Sequence, residues 1–236
     1  MLLRAYLPKL LTALFGGIFI AAGIATFGNS TLFDRIFFGV LIFTAIICHK
    51  NINVIGILLI IFIQRVMEET AWIYLADNYM VKLVLYLVSF WAVYYYFYDS
   101  ASKVLLLCLV PVVLTEIYWF SISYPAPQIY WNISIVVLNL IIRDLIFFRV
   151  RYTDKFFPNK GKSTNLDWVI YKLNFTAMII HTASISEYLI RHLLEYTHIL
   201  IFYHSFPYIM HGLAVIVIWS TFNESYRQLA PRLLKA

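Results

Sequence analysis

Residues 33–63 read FDRIFFGVLIFTAIICHKNINVIGILLIIFI, which is two apolar runs separated by a short polar link at 49–51. A helix that crosses a bilayer needs about 20 mainly apolar residues. The first run ends at Cys48 and approaches that length, and the second starts near Ile52. Two such runs with a tight polar connection predict consecutive membrane helices, and the same pattern recurs along the rest of the chain.

The composition supports this interpretation for the whole chain. The 236 residues are 62% hydrophobic and 13% charged, and their mean hydropathy is +0.80. An ordinary soluble domain carries about 25% charged residues, so this chain could not cover a water-facing surface. The apolar runs do not alternate as the strands of a membrane barrel do. We therefore predict an all-α polytopic membrane bundle, a single domain over 1–236 with no soluble domain.

The apolar runs predict seven or eight spanning helices. The third helix and the segment 191–205 leave the count open, because the fully apolar part of helix 3 ends at Ile63 and must continue towards Trp72 to cross. A polar loop is expected at 149–167 and a polar tail at 223–236. The predicted helices lie at 10–27, 33–48, 52–72, 80–98, 103–120, 129–148, 168–190 and 206–222.

The distribution of Lys and Arg predicts the orientation. Cytoplasmic loops are enriched in these residues, and a cytoplasmic N-terminus places 14 of the 18 on the inner side of eight crossings. Both termini are then cytoplasmic, in the inner or plasma membrane if the source is bacterial. The basic loop 149–167 could also bind anionic lipids. The positive charge is explained in this way without a nucleic-acid partner.

With this orientation, acidic and basic side chains from several helices collect in one outward-facing polar layer. Ionisable groups within membrane spans are costly unless they are paired, hydrated or functional. On helix 3 the spacing makes Gln64 a neighbour of Glu68, and Arg65 a neighbour of Glu69. This set fits either an ion pair near the headgroups or the lining of a pocket or ion path. The predicted layer comprises Gln64, Arg65, Glu68, Glu69, Glu116, Glu187, Arg191 and Glu195.

Five of the six histidines lie between His181 and His211. If helix 7 continues to residue 198, one face carries Glu187, Arg191, Glu195 and His198 as an alternating ladder of charges. Such a ladder is either a set of exposed salt bridges or part of a metal site.

The metal hypothesis uses Glu195 and His198, three residues apart, with His192 as a further ligand. Zinc accepts His and carboxylate ligands, and iron binds Glu-x-x-His pairs in helical bundles. A separate haem hypothesis uses His181 and His211 as axial ligands. No resident cofactor is predicted otherwise.

The sequence lacks the common motifs of nucleophilic catalysis, phosphate binding and dinucleotide binding. We therefore interpret it as a non-enzymatic membrane protein, either channel- or transporter-like or a subunit of a larger complex or homo-oligomer. Proton or ion paths need acid, base and histidine groups facing a bundle interior. Helices broken at Pro111 or Pro207 would strengthen the transport interpretation. The alternative is a metal-dependent membrane enzyme that acts on a lipid-linked or periplasmic substrate.

Overall fold

The structure is a computed structural model, and it describes residues 2–74, 79–124, 129–196, 198 and 200–233. Within these ranges the chain forms eight α-helices and no strand. The all-α prediction is confirmed, and of seven or eight helices the structure has eight. The helices are α1 (Leu2–Thr26), α2 (Ser30–Ile47), α3 (Ile52–Tyr74), α4 (Tyr79–Tyr95), α5 (Ser100–Ser121), α6 (Tyr130–Phe156), α7 (Asn165–Leu193) and α8 (Ile201–Leu233).

Three of these helices have the length and apolar composition of a membrane span: α2, α5 and the part of α8 from Ile201 to Leu229. Two shorter apolar helices cover Leu10–Thr26 and Met80–Tyr95. These segments are typical of an integral membrane protein. The number of crossings, the orientation of the termini and the kind of membrane stay predictions.

Several helices extend beyond the apolar runs that predicted them. α6 continues to Phe156 and α7 begins at Asn165, so the polar loop expected at 149–167 shrinks to 157–164. α8 begins at Ile201 and continues to Leu233, through most of the expected tail. An apolar run indicates only the part of a helix that can lie in the hydrocarbon of a membrane. The backbone hydrogen bonds of the helix continue through polar residues as well, so the helix is longer than the run.

The structure corrects the helical continuation of the 187–198 segment. α7 ends at Leu193, and Glu195 has a φ of 58°. That backbone conformation lies in the left-handed region, which a right-handed helix does not contain. Glu187, Arg191, Glu195 and His198 therefore do not form a ladder on one helix face. The helices that contain Pro111 and Pro207, by contrast, run without interruption.

The chain divides into two compact units. The first consists of Met1–Phe62, Phe148–Ile170 and Tyr208–Ala236. Its aromatic contacts centre on Phe222, whose ring lies 4.9 Å from Phe15, 5.1 Å from Phe19 and 5.9 Å from Phe43. These contacts join α8 to α1 and α2.

A buried ion pair closes the polar end of the first unit. The Arg149 guanidinium donates to both carboxylate oxygens of Asp167 at 2.5 Å and to the Lys162 carbonyl at 2.7 Å. It also lies 3.3 Å from the Asn53 side-chain oxygen. Thr164 donates to Asp167 from its backbone N–H and its hydroxyl. Arg149 thus connects the end of α6 with the loop, with α7 and with the start of α3.

The second unit consists of Ile63–Phe147 and Tyr171–Pro207. Its apolar core contains side chains from α4, α5, the first half of α6 and the second half of α7. Fully buried members include Leu105, Leu109, Ile133, Val136 and Met178. Polar side chains within this core are therefore surrounded by apolar groups.

Candidate functional site

A group of amide side chains lies inside the second unit, and we call it the amide layer. The Gln64 side-chain nitrogen lies 3.1 Å from the Asn174 oxygen, 3.4 Å from the Asn139 oxygen and 3.1 Å from Glu68 Oε1. A Gln nitrogen has two hydrogens, so these three acceptors share two donors. α3, α6 and α7 each contribute to this layer.

The two asparagines of the amide layer are deeply buried, and the side-chain nitrogen of one of them has no partner among the described residues. Asn139 is 2% exposed and Asn174 is 5% exposed. Asn139 Nδ2 donates to the Ile135 carbonyl at 2.8 Å, one turn earlier in α6. Asn174 Nδ2 is buried, and among the described residues it has no hydrogen-bond partner. Because buried polar groups are nearly always paired, this amide is an unusual feature of the interior.

The charged residues of α3 lie at the edge of this layer. Arg65 contacts Glu68 at 3.3 Å and Glu69 at 2.8 Å. Glu69 is more than half exposed, whereas Gln64 and Glu68 are partly buried. The neighbours predicted on helix 3 are therefore in contact, Arg65 with Glu69 and Gln64 with Glu68. The lining of a pocket or ion path stays a prediction.

A second polar layer surrounds His181, which is 1% exposed. Its Nδ1 lies 2.9 Å from the Asn132 side-chain oxygen. Its ring contacts Phe206, with centroids 5.0 Å apart. Its Nε2 is buried and has no hydrogen-bond partner within the described part of the chain.

The polar residues of the two layers have the same spacing on α6 and on α7. Asn132 and Asn139 are seven residues apart on α6, and Asn174 and His181 are seven apart on α7. Seven residues are close to two helical turns, so each pair shares one helix face at about 10.5 Å separation along the axis. Asn139 and Asn174 are not among the site residues predicted from the sequence. Equal spacing of polar residues inside two apolar runs is the signal that could have found them.

A third group, the Glu116 cluster, contains Glu116 of α5 with Tyr86 of α4, Tyr130 of α6 and Tyr188 of α7. Tyr86 interacts electrostatically with the Glu116 carboxylate and with Tyr130. Tyr188 interacts electrostatically with the same carboxylate. The Lys82 ammonium lies 4.4 Å from the centre of the Tyr130 ring.

His192 lies near the end of α7 among aromatic side chains. Its Nδ1 is 3.1 Å from the Tyr124 hydroxyl, and its ring centroid is 4.3 Å from that of Tyr188 and 6.1 Å from that of Trp119. Partial burial, together with the positive charge of Arg191, lowers the pKa of His192 below its ordinary value. Both causes disfavour the charged imidazolium.

The environment of Glu187 differs from the one expected in the ladder of charges that the sequence predicted on helix 7. It is 6% exposed, and its two oxygens accept the backbone N–H groups of Phe202 at 2.6 Å and Tyr203 at 2.8 Å. A carboxylate at a helix N-terminus satisfies unpaired N–H groups and interacts favourably with the helix dipole. Glu187 therefore caps α8. The Arg191 guanidinium lies 5.7 Å from the centre of the Tyr203 ring.

The structure does not bring the predicted metal ligands into one group. Among the described residues, no three or more His, Cys, Asp or Glu side chains are arranged to hold a metal ion. Glu195 and His198 are exposed, and His192 contacts the aromatic side chains described above. The zinc or iron hypothesis stays a prediction.

The two histidines of the haem hypothesis each contact a protein group. His181 Nδ1 contacts Asn132 as described, and His211 Nε2 lies 2.8 Å from the Gly23 carbonyl oxygen of α1. The His211 ring also packs against Phe33, with centroids 4.6 Å apart. These contacts are the hydrogen bonds and ring packing expected of a histidine inside a helical bundle. The haem hypothesis stays a prediction.

Comparison with known proteins produced no match. No family model matches the chain, and neither a curated protein nor a solved structure is similar to it. Functional inference therefore depends on the geometry of the described side chains.

Proposed function

We propose that this protein is a multi-pass membrane protein of the transporter class, and that the polar interior of its second unit binds the solute that it moves. The observation that carries this proposal is the pair of buried, unpartnered nitrogen atoms on one face of α7. These atoms are Asn174 Nδ2 and His181 Nε2.

An unused hydrogen-bonding group in an apolar interior is costly. Leaving a buried donor or acceptor unsatisfied costs about 1–3 kcal/mol. Polar side chains inside membrane bundles accordingly tend to mark functional positions. A small solute that hydrogen-bonds to Asn174 or His181 would remove this cost when it binds. The neighbouring Gln64, Asn139 and Glu68 would supply further polar contacts.

The separation of the two layers favours a transporter over an open pore. Between Asn174 and His181, α7 carries Met178, which is fully buried in the apolar core. Val136 of α6 is a fully buried member of the same core, and it lies between Asn132 and Asn139 in sequence. An apolar section of this kind interrupts a continuous file of water. Movement of a solute between the layers then requires a conformational change, as in alternating access.

The test is solute flux into proteoliposomes that contain the purified protein. The solute panel includes protons, Na⁺, K⁺, ammonium and small neutral polar compounds, followed with ion-sensitive dyes or by vesicle swelling. We expect at least one solute to enter faster than in protein-free vesicles. Asn174→Leu and His181→Phe should each reduce that flux strongly, because they remove the unpartnered nitrogen atoms.

Thr176→Val is the matched control on the same helix. Thr176 is exposed, and its hydroxyl bonds only to the Lys172 carbonyl one turn earlier. This variant should retain the flux of the wild type. Size-exclusion chromatography and circular dichroism verify that each variant folds. The proposal is wrong if no solute of the panel is transported, or if folded Asn174→Leu and His181→Phe proteins transport as well as Thr176→Val.

A further inference from the structure

The polar end of the first unit carries an exposed surface of basic and aromatic side chains. We call the segment 150–168 the basic hairpin, since it consists of the last turns of α6, the loop 157–164 and the start of α7. The structure describes this segment in full, and its only exposed carboxylate is that of Asp154. Its exposed cations are Arg151, Lys155, Lys160 and Lys162. Its exposed aromatic residues are Tyr152, Phe156, Phe157 and Trp168.

The loop of the basic hairpin folds back onto α6. The Gly161 N–H donates to Asp154 Oδ1 at 2.6 Å, and a Cβ added at Gly161 would lie 2.6 Å from the Val150 carbonyl oxygen. The two loop lysines stand on either side of Gly161, so they are brought beside the last turns of α6. Arg151 and Lys155 are four residues apart on those turns and are therefore neighbours. The fold thus collects four cations around a single exposed carboxylate.

Hydrogen bonds hold the backbone of this loop in place. Asn53 Nδ2 donates to the Lys160 carbonyl at 2.9 Å, and the Lys162 N–H donates to Asn53 Oδ1 at 2.8 Å. The Arg149 guanidinium donates to the Lys162 carbonyl at 2.7 Å. None of these bonds uses a lysine side chain, and both lysines stay exposed. A loop that is ordered before binding loses less conformational entropy when a ligand binds.

We propose that the basic hairpin binds the anionic phospholipid headgroups of the membrane in which the apolar helices lie. This interaction goes beyond the transport function proposed above and does not depend on it. The excess of positive charge is complementary to headgroup phosphates, and each Lys or Arg close to an anionic membrane surface adds to the attraction. The exposed aromatic residues favour a membrane over a soluble acidic partner, because aromatic side chains are enriched at the membrane–water interface.

The position of the basic hairpin fits the headgroup region. Asn53, which holds the loop, is the second residue of α3, and the apolar residues 54–62 follow it. The loop therefore lies at one end of a run that suits the hydrocarbon of a membrane. The enrichment of Lys and Arg in cytoplasmic loops accounts for positive charge in a loop, but it does not require a fixed backbone. The fixed arrangement of the cations is what indicates a binding surface.

The test measures the melting temperature of the purified, detergent-solubilised protein as phosphatidylglycerol replaces phosphatidylcholine at constant total lipid. A ligand that binds only the folded protein raises the melting temperature in a concentration-dependent way. We expect phosphatidylglycerol to stabilise the wild type more than phosphatidylcholine does, and added NaCl to reduce the difference. Lys155→Gln/Lys160→Gln should weaken the apparent affinity for phosphatidylglycerol by roughly 25-fold, which is about fivefold for each cation.

Arg35→Gln/Lys103→Gln is the matched control, since it removes two positive charges from exposed residues of α2 and α5. This control should respond to phosphatidylglycerol as the wild type does. The hairpin variant keeps every bond that holds the loop, so it should fold. If it does not fold, Arg151→Gln/Lys162→Gln provides the same comparison.

Each other outcome overturns the lipid site. Equal melting temperatures in the two lipids, or equal losses of affinity in the hairpin variant and the control, would show that the basic hairpin has no specific role. Sodium phosphate that reproduces the stabilisation without lipid would assign the cations to a soluble phosphate ligand. Polyglutamate that stabilises the protein where phosphatidylglycerol does not would assign them to an acidic protein partner.

The transport proposal fails separately, because solute flux tests it. A preference for phosphatidylglycerol in a protein that moves no solute refutes transport and leaves the lipid site intact. Flux without any preference for phosphatidylglycerol refutes the lipid site and leaves transport intact.

Discussion

The Arg149–Asp167 pair gives the sharpest test of the fold. Arg149 and Asp167 are almost completely buried, and the two bonds between them are short. The perturbation is Arg149→Met, which removes the guanidinium and keeps an unbranched apolar side chain in place of the aliphatic part of Arg149. Among the described residues, the bonds that then remain to the buried Asp167 carboxylate are the two from Thr164, at 2.7 and 2.9 Å. The substitution also removes the donor that serves the Lys162 carbonyl.

The expected cost follows from these contacts. Breaking a buried ion pair by removing one partner costs about 3–5 kcal/mol. Thr164 still stabilises the remaining carboxylate, so Arg149→Met should fall near 3 kcal/mol, at the lower end of that range. For a chain of this length, each kcal/mol lowers the melting temperature by roughly 2–4 °C. The melting temperature should therefore fall by roughly 6–12 °C, as measured by tryptophan fluorescence in detergent.

A more exposed ion pair on α8 provides the comparison. Arg227 lies 3.5 Å from Glu224, and their side chains are 55% and 13% exposed. Solvent screens the exposed Arg227 guanidinium, so Arg227→Met should lower the melting temperature by less than Arg149→Met. In the double variant Arg149→Met/Asp167→Leu, the loss should be smaller than the sum of the single losses, because no unpaired charge remains. Equal losses for Arg149→Met and Arg227→Met would refute the reasoning.

Three further predictions concern stability. Glu187→Gln should destabilise the protein by about 1–3 kcal/mol in thermal unfolding, because a Gln side chain offers only one oxygen to the two N–H groups of α8. An unchanged melting temperature would contradict the capping role of Glu187. Gly161→Ala should also destabilise the protein, by about 1–3 kcal/mol, because an added Cβ would lie 2.6 Å from the Val150 carbonyl oxygen. An unchanged melting temperature would contradict this expectation. The lowered pKa of His192 means that the folded state binds fewer protons than the unfolded state as the pH falls through the ordinary value of 6.5. The stability of the wild type should therefore decrease as the pH falls through this range, and that of His192→Gln should decrease less. Identical pH profiles of the melting temperature for the two proteins would contradict this prediction.

The interpretation of helix 7 shows where prediction from the sequence fails. Glu187, Arg191 and Glu195 have the spacing of a helical ladder, but α7 ends at Leu193. The Glu187 carboxylate accepts from the backbone of α8, fifteen and sixteen residues later. Spacing rules describe neighbours on one helix, whereas this contact depends on where the chain turns back. No local pattern contains that information.

The amide layer was predictable in part. The neighbours Gln64 and Glu68 follow from helical spacing, and the structure has them in contact. Asn139 and Asn174 approach Gln64 from helices that lie 75 and 110 residues further along the chain. Each is a single polar residue in an apolar run, and such a residue could equally have faced a headgroup.

The helical class and the approximate position of each helix follow from the sequence alone. Apolar length and composition are local properties, and they set which segments suit a membrane before any packing takes place. The tertiary structure alone decided which polar groups are paired and which remain open. Hydrogen-bond satisfaction depends on distance and angle between side chains of different helices. For this reason Glu187 became a helix cap, while Asn174 and His181 became candidates for binding a solute.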